Sequence, residues 1–187
     1  KDKNNLIPIA NNNIFSRGLY ENIAMAIKIA LDLGIKKKNI LKSIPKLNFK
    51  GRIQYLTSGK IKKRLKKNEQ ILIDGCHSDV SGKNLSDYLK QINKEKFGIW
   101  SMMKNKDPES FIQRFKGVFK TIYTIPMEGE KNSMSPEVLA NIAKKHSIDA
   151  IPLKNFKQAL KKISSHQKKL ICVFGSLYQC GNILNKN

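Results

Sequence analysis

Apolar and polar positions along the chain fall into blocks that change period, and the periods predict its elements. Between residues 19 and 33, Ile23, Ala26, Ile27, Ala30 and Leu31 recur at helical spacing, and Gly34 follows as a stop signal. A short helix is expected near residues 38–43, ended by Pro45. From Gly51 onward short apolar runs take over. Strands are expected at residues 53–57, 70–73, 97–102, 119–125, 150–151 and 170–174. Helical patterns separate most of them, over about 80–92, 108–115, 135–146 and 156–163, with Pro108 and Pro136 placed to open two of these helices. A final short helix follows Gly175. The lysine-dense segment KIKKRLKK, residues 60–67, lies between two strand-like runs and reads as a solvated hairpin. Strands at this spacing with intervening helices predict an α/β domain with a mostly parallel sheet and helices on both faces. Residues 1–48 form a polar, Asn-rich linker and a short helical arm ahead of it, and the domain proper covers 49–187.

One stretch concentrates the chemistry. In ILIDGCHSDVSGKNLSDYL, residues 71–89, an apolar run reads as a buried parallel strand, Asp74-Gly75 is a turn signal, and a helical pattern follows. A strand ending in a polar turn before a helix is a common ligand position in α/β proteins. The strand's carboxyl end delivers side chains into a crevice, and the helix N-terminus offers unpaired N–H groups to an anion. Asp74, His77, Ser78 and Asp79 occupy that position. On spacing alone an ordinary strand-to-helix connection, with Ser78 or Asp79 serving only as a cap, is slightly the better reading. Residues 102–107 and Gly175-Ser176 end two further strands in similar chemistry, and in a parallel sheet all three ends share one edge.

Composition narrows the classes. A chain of 187 residues with a mean hydropathy of −0.43 suits a soluble globular protein with one good core. It holds no apolar run near the ~20 residues that span a bilayer. The polar start lacks a signal-peptide core, and three cysteines without C-x-x-C spacing suit reduced thiols, so a cytoplasmic setting is expected. The net charge of +22 would ordinarily point to nucleic acid. Its make-up weakens that inference: 32 of the 36 basic residues are Lys, spread along the chain beside 24 Ile and 18 Asn. That pattern suggests AT-biased coding, and base recognition favours Arg for its bidentate contacts.

Five segments, in order, resemble the C-terminal domain of folylpolyglutamate synthase/dihydrofolate synthase, in the Mur-ligase superfamily of ATP-dependent amide ligases. Gly18-Leu19-Tyr20-Glu21-Asn22-Ile23-Ala24 is similar to that family's Gly-x-(His/Tyr)-Gln-x-x-Asn-Ala-Ala helix start, somewhat compressed. Gly51-Arg52-Ile53-Gln54 resembles Gly-Arg-(Leu/Phe)-Gln, and Asp74-Gly75-Cys76-His77-Ser78 resembles Asp-Gly-Ala-His-Asn. Asn105-Lys106-Asp107 is similar to Asp-Lys-Asp after an apolar strand. Phe174-Gly175-Ser176-Leu177-Tyr178 resembles the family's (Phe/Thr)-Gly-Ser-(Leu/Phe)-Tyr ending.

The resemblance implies a Rossmann-like domain and a definite reaction. ATP phosphorylates the carboxylate of dihydropteroate or folate, and the amine of glutamate attacks the acyl phosphate. Such chemistry needs electrostatic clamps for phosphoryl and tetrahedral oxygens. By motif position, Asn22 would bond the adenine, Arg52 would reach the phosphates, and Asp74 would bind the ribose or orient the nucleotide, with Ser78 beside it. His77 and Ser176 would place glutamate and stabilise the reacting carboxyl oxygens, and Tyr178 would line the same pocket. Mg²⁺ ligands and the pteridine pocket are expected in an N-terminal P-loop domain, joined in cis or docking in trans, of which residues 1–48 would be the end.

Plainer readings stand beside these. His77 suits a solvated turn, Ser176 and Tyr178 suit a turn and a core position, and Lys106-Asp107 suits a helix start. Cys76 replaces the family's Ala, and a chain neighbour in a turn does not make it a nucleophile for His77. His146 and His166 lie on Lys-rich stretches and receive no role. The departures matter equally. No G-x-x-x-x-G-K-[ST] phosphate loop occurs in these residues, and Ser78 stands where the motif has Asn. A fragment of a longer chain, half of a split enzyme and an inactive remnant are all compatible with that. A basic nucleic-acid-binding module is the rival from another class; steep salt dependence and indifference to sequence would mark it.

Overall fold

The computed structural model describes residues 6–12, 14–165 and 167–187; Asn13 of the predicted linker and His166 lie outside the described residues. The chain divides into two compact units, Lys1–Lys50 and Gly51–Asn187.

The first unit is helical. Helix α1 (Arg17–Asp32) starts where the Ser16 hydroxyl accepts from the Leu19 N–H. It ends at Gly34, whose φ of +78° lets the Gly34 and Ile35 N–H groups reach back to the carbonyls of Leu31 and Ala30. Helix α2 (Lys37–Ser43) runs into a 3₁₀ turn (Ile44–Lys46), and the Asn11 amide holds that turn through the carbonyls of Ile44 and Leu47.

The second unit is a six-stranded sheet. Strands β1 (Gln54–Tyr55), β2 (Glu69–Asp74), β3 (Glu95–Trp100), β4 (Thr121–Thr124), β5 (Ala150–Pro152) and β6 (Lys169–Phe174) lie in the order β1-β2-β6-β3-β4-β5. All neighbours are parallel except β1, which runs antiparallel to β2. Helices α3 (Gly59–Arg64), α4 (Asp79–Lys90), α5 (Pro108–Ile112), α6 (Pro136–Lys145), α7 (Phe156–Ile163) and α8 (Leu177–Lys186) cover both faces.

The apolar runs of β2 and β6 are continuous because both faces are covered. Ile71, Ile73, Ile171 and Val173 face Ile61 of α3, Ala159 and Ile163 of α7 and Ile183 of α8. The alternate positions Leu72, Leu170, Cys172 and Phe174 join Leu85, Phe111, Phe115 and Leu139 on the other side. There Phe174 packs against Trp100, Phe111, Phe115 and Phe119 with ring centroids 4.7 to 6.4 Å apart.

Two expectations change. Residues 60–67 are not a hairpin: Gly59–Arg64 is helical, with Ile61 buried. Asn187, at the end of α8, supplies the missing cap. Its backbone carbonyl accepts from Lys60 N–H, its side-chain oxygen from Ile61 N–H at 3.0 Å, and its amide donates to Ser58 O at 2.9 Å. The strand expected over 53–57 shrinks to Gln54–Tyr55, because Ile53 sits at φ +44°, outside strand conformation.

Candidate active site

Parallel pairing sets Asp74 of β2 opposite Phe174 of β6, and Phe174 opposite Trp100 of β3. The three carboxyl ends therefore form one edge, and α4 and α8 begin there with their N–H groups and positive dipole ends.

Three loops meet at this edge. The Gly75 N–H donates to Gly51 O at 2.8 Å. Asp74 joins the loops more firmly: Oδ2 accepts from Ile53 N–H and Oδ1 from Cys76 N–H, each at 2.7 Å. The Gln54 side chain accepts from Gly51 N–H at 2.8 Å. Arg52 is thus held on both sides by its backbone neighbours. A β-branched residue at φ +44° costs about 1–3 kcal/mol, and Ile53 keeps that conformation through burial (2% exposed) and the Asp74 bond. Close approach also decides the third loop. A Cβ on Gly75 would sit 2.5 Å from Leu177 Cγ and 3.0 Å from its Cα. Gly175, at φ +102°, lies against the Ser101 carbonyl and the Trp100 indole. Only residues without side chains permit the α8 start to close onto β2 and β3.

The chemistry of each group follows from its surroundings. Asp74 is 5% exposed, and burial lifts its carboxyl above the ordinary 3.8, against the pull of the Ile53 and Cys76 N–H bonds and the Arg52 charge. The Arg52 side chain is half-buried, and no described acid forms an ion pair with it. His77 is half-buried, and its Nδ1 lies 2.8 Å from Gly75 O. A carbonyl only accepts, so Nδ1 carries the hydrogen, and Nε2 is the nitrogen left for another partner. Ser78 caps α4: its hydroxyl accepts from Ser81 N–H, and Ser81 Oγ accepts from the N–H groups of Ser78 and His77. Ser176 is buried and caps α8, accepting from Tyr178 N–H at 3.1 Å, whereas Tyr178 itself is 63% exposed. Asn22 is exposed on α1 in the helical unit.

Neighbouring residues take structural parts. Asp107 caps α5 through the N–H groups of Glu109 and Ser110, Asp79 forms a bidentate pair with Arg114 at 2.5 and 2.7 Å, and His146 Nε2 meets Glu109 Oε2 at 2.6 Å. Cys76, Cys172 and Cys180 are buried free thiols. Burial, with the Asp74 charge second, pushes Cys180 up to about 12 and the other two well above the ordinary thiol value. They are structural rather than nucleophilic.

The sequence reading had no signal for two features. Ile53 becomes the Asp74 partner only through folding. Trp100 Nε1 and Ser101 Oγ are buried at the end of β3 and lack partners among the described residues. Among those residues no group of three or more His, Cys, Asp or Glu side chains is placed to hold a metal ion. No helix among the described residues is long and apolar enough to cross a membrane.

The class defined here is a Rossmann-like α/β domain whose candidate ligand edge brings together Arg52, held through its backbone neighbours, His77, tied to Gly75 O, and two helix N-termini. Residues 57–186 match the family described as dihydrofolate synthetase, C-terminal domain, and the chain belongs to that family. Its fold is that of the corresponding domain in solved folylpolyglutamate synthases. The Mycobacterium tuberculosis enzyme complexed with ADP and AMPPCP superposes with a TM-score of 0.77 at 14% identity, over 92% of this chain and 40% of that one. E. coli FolC in complex with DHPP and ADP gives 0.64 at 17%, over 80% and 34%. A bifunctional folylpolyglutamate synthase/dihydrofolate synthase with Mn, AMPPNP and L-glutamate bound gives 0.61 at 15%, over 78% and 33%. The chain therefore spans 40% or less of the length of these three proteins. No curated protein matches the chain in sequence.

Proposed function

We propose that this chain is the amino-acid-side half of an ATP-dependent ligase that joins glutamate to dihydropteroate or a folate. The observation that carries the reading is the clamp on Arg52. The Asp74 carboxyl and the Gly75 N–H fix the residues on either side of it, at the edge where α4 and α8 begin, and no described acid forms an ion pair with its guanidinium. A guanidinium fork at such an edge suits phosphate oxygens.

ATP, when bound, supplies the phosphoryl group that activates the substrate carboxylate. The residues of this chain do the rest by holding and orienting. Asp74 is too buried, and its oxygens too committed to N–H groups, to serve best as a ribose ligand; it acts through Arg52 as a positioning residue. His77 presents Nε2 as the acceptor for a proton leaving the attacking glutamate amine. Ser176 directs its hydroxyl hydrogen toward the reacting carboxyl, since its oxygen already accepts the α8 N–H groups, and exposed Tyr178 borders the glutamate. Asn22 and Ser78 keep the adenine-side and nucleotide-side roles that the family pattern implies. The phosphate loop, the Mg²⁺ ligands and the pteridine pocket belong to an N-terminal domain, in cis or in trans, with residues 1–48 as its end. The ADP, AMPPNP, Mn and L-glutamate complexes of the structural relatives support this ligand set.

The test is phosphate release that depends on ATP, glutamate and dihydropteroate, with the chain alone and then mixed with a P-loop-bearing N-terminal half. Turnover is expected only in the mixture and is lost with His77→Ala. A folded chain that is silent in both would overturn the ligase reading in favour of a remnant.

A further inference from the structure

A second concave surface lies on the α7–α8 face of the sheet. It is a groove of about 800 Å³ within the second unit, a size typical of ligand sites. It reaches from Ile125 and Pro126, just past the carboxyl end of β4, to Glu69 at the amino end of β2. Gln179, one turn into α8 from Ser176, lines it, so the groove opens beside the candidate active site.

Its composition is unusual for an apolar groove. Ile61, Phe156, Leu160 and Ile183 contribute to its lining, while Lys60, Arg64, Lys154, Lys157 and Lys161 are exposed along it and have no acid partner among the described residues. The two acids present are already engaged. Glu128 pairs with Lys186, and the Glu69 carboxylate, 1% exposed, accepts from the N–H groups of Lys66 and Ser165 at 3.0 and 2.9 Å. Gln179 is 4% exposed, and its side-chain oxygen has no hydrogen-bond donor among the described residues.

We propose that this groove binds an oligo-γ-glutamyl chain, the polyanion that successive glutamate additions build. The proposal rests on the glutamate-ligase reading above. Each unit of such a chain carries two methylenes suited to the apolar lining, one carboxylate suited to the cationic rim, and one amide N–H, the donor that the Gln179 oxygen lacks. The groove then holds the growing tail away from the reacting end and favours substrates that already carry glutamates.

The test uses the full 187-residue chain and fluorescein-labelled penta-γ-glutamate, read by anisotropy at about 50 and 200 mM salt. Penta-α-glutamate and a short single-stranded DNA serve as competitors. Lys157→Glu with Lys161→Glu removes two rim cations. Lys116→Glu with Lys144→Glu changes the same charge at exposed positions outside the groove. We expect the γ-linked peptide to outcompete the α-linked one, the groove pair to weaken binding at least about tenfold, and the control pair to change it less than about twofold. Circular dichroism checks that both variants fold. Equal losses from the two pairs, equal binding of DNA or the α-linked peptide, or no binding by the folded chain would each overturn the proposal. The two readings fail separately. Turnover in the reconstituted enzyme without groove binding strikes the groove alone, and groove-specific binding without turnover strikes the ligase reading.

Discussion

Gly175 gives the sharpest test of how the edge is assembled. At φ +102°, alanine there enters a conformation that L residues avoid, at about 1–2 kcal/mol. Its Cβ would also press on the Ser101 carbonyl and lie 2.5 Å from Trp100 Cδ1. Neither can yield easily, because the carbonyl is backbone and the indole is packed between Phe111 and Phe174. Overpacking of that kind adds about 1–3 kcal/mol, so Gly175→Ala is expected to cost about 2–5 kcal/mol in total. Gly117 supplies the control. Its φ is +73°, but no described residue beyond its chain neighbours lies within 4 Å of where an alanine Cβ would stand, so Gly117→Ala carries only the conformational cost of about 1–2 kcal/mol. Equilibrium urea denaturation of the three proteins measures both values, and an unchanged m-value would place the effect in the folded state. Equal destabilisation by the two substitutions would refute the argument that close packing at the strand ends, rather than backbone conformation alone, makes Gly175 necessary.

Other expectations are independent of that one. Arg52→Ala should lower the reconstituted ligase's kcat/KM for ATP by about 100-fold with little change in stability, and Arg52→Lys should restore only part of it; a variant of full activity would remove Arg52 from the site. Asp74 has a pH signature whose sign is set by burial. Its folded-state pKa is raised, so the folded chain holds the proton more tightly than the unfolded chain, and the stability it contributes is greatest below the ordinary value of 3.8 and falls as pH rises through the raised one. The stability of the wild type minus that of Asp74→Asn should therefore decline as pH rises above the ordinary value of 3.8, and a difference that grows with pH would show the two N–H bonds outweighing burial. Burial also predicts that Cys76, Cys172 and Cys180 resist a thiol reagent at mildly alkaline pH until urea unfolds the chain; rapid labelling of the native protein would contradict their placement.

Much of the fold was legible because the signals are local. The 3.6-residue pattern before Gly34, the apolar runs of β2 and β6, and the Pro108 and Pro136 helix starts each act within a few residues, and each sits where its period and cap place it. The same holds for the three segments at the ligand edge: residues 51–54, 74–78 and 174–178 were visible as segments, and parallel pairing set the last two side by side.

What the sequence alone determined, then, is the type of most strands and helices, where most helices start, and that β2 is buried on both faces. Tertiary structure alone decided the rest. Gly59–Arg64 is helical because Ile61 has a core to enter and Asn187, 126 residues beyond Ile61, caps its start. Ile53 leaves the strand because Asp74, 21 residues on, takes its N–H, and that bond ties Asp74 to the chain neighbour of Arg52. Periodicity and capping are short-range and are written into neighbouring residues. A buried carboxylate, by contrast, must be satisfied by whichever donors the fold brings to it.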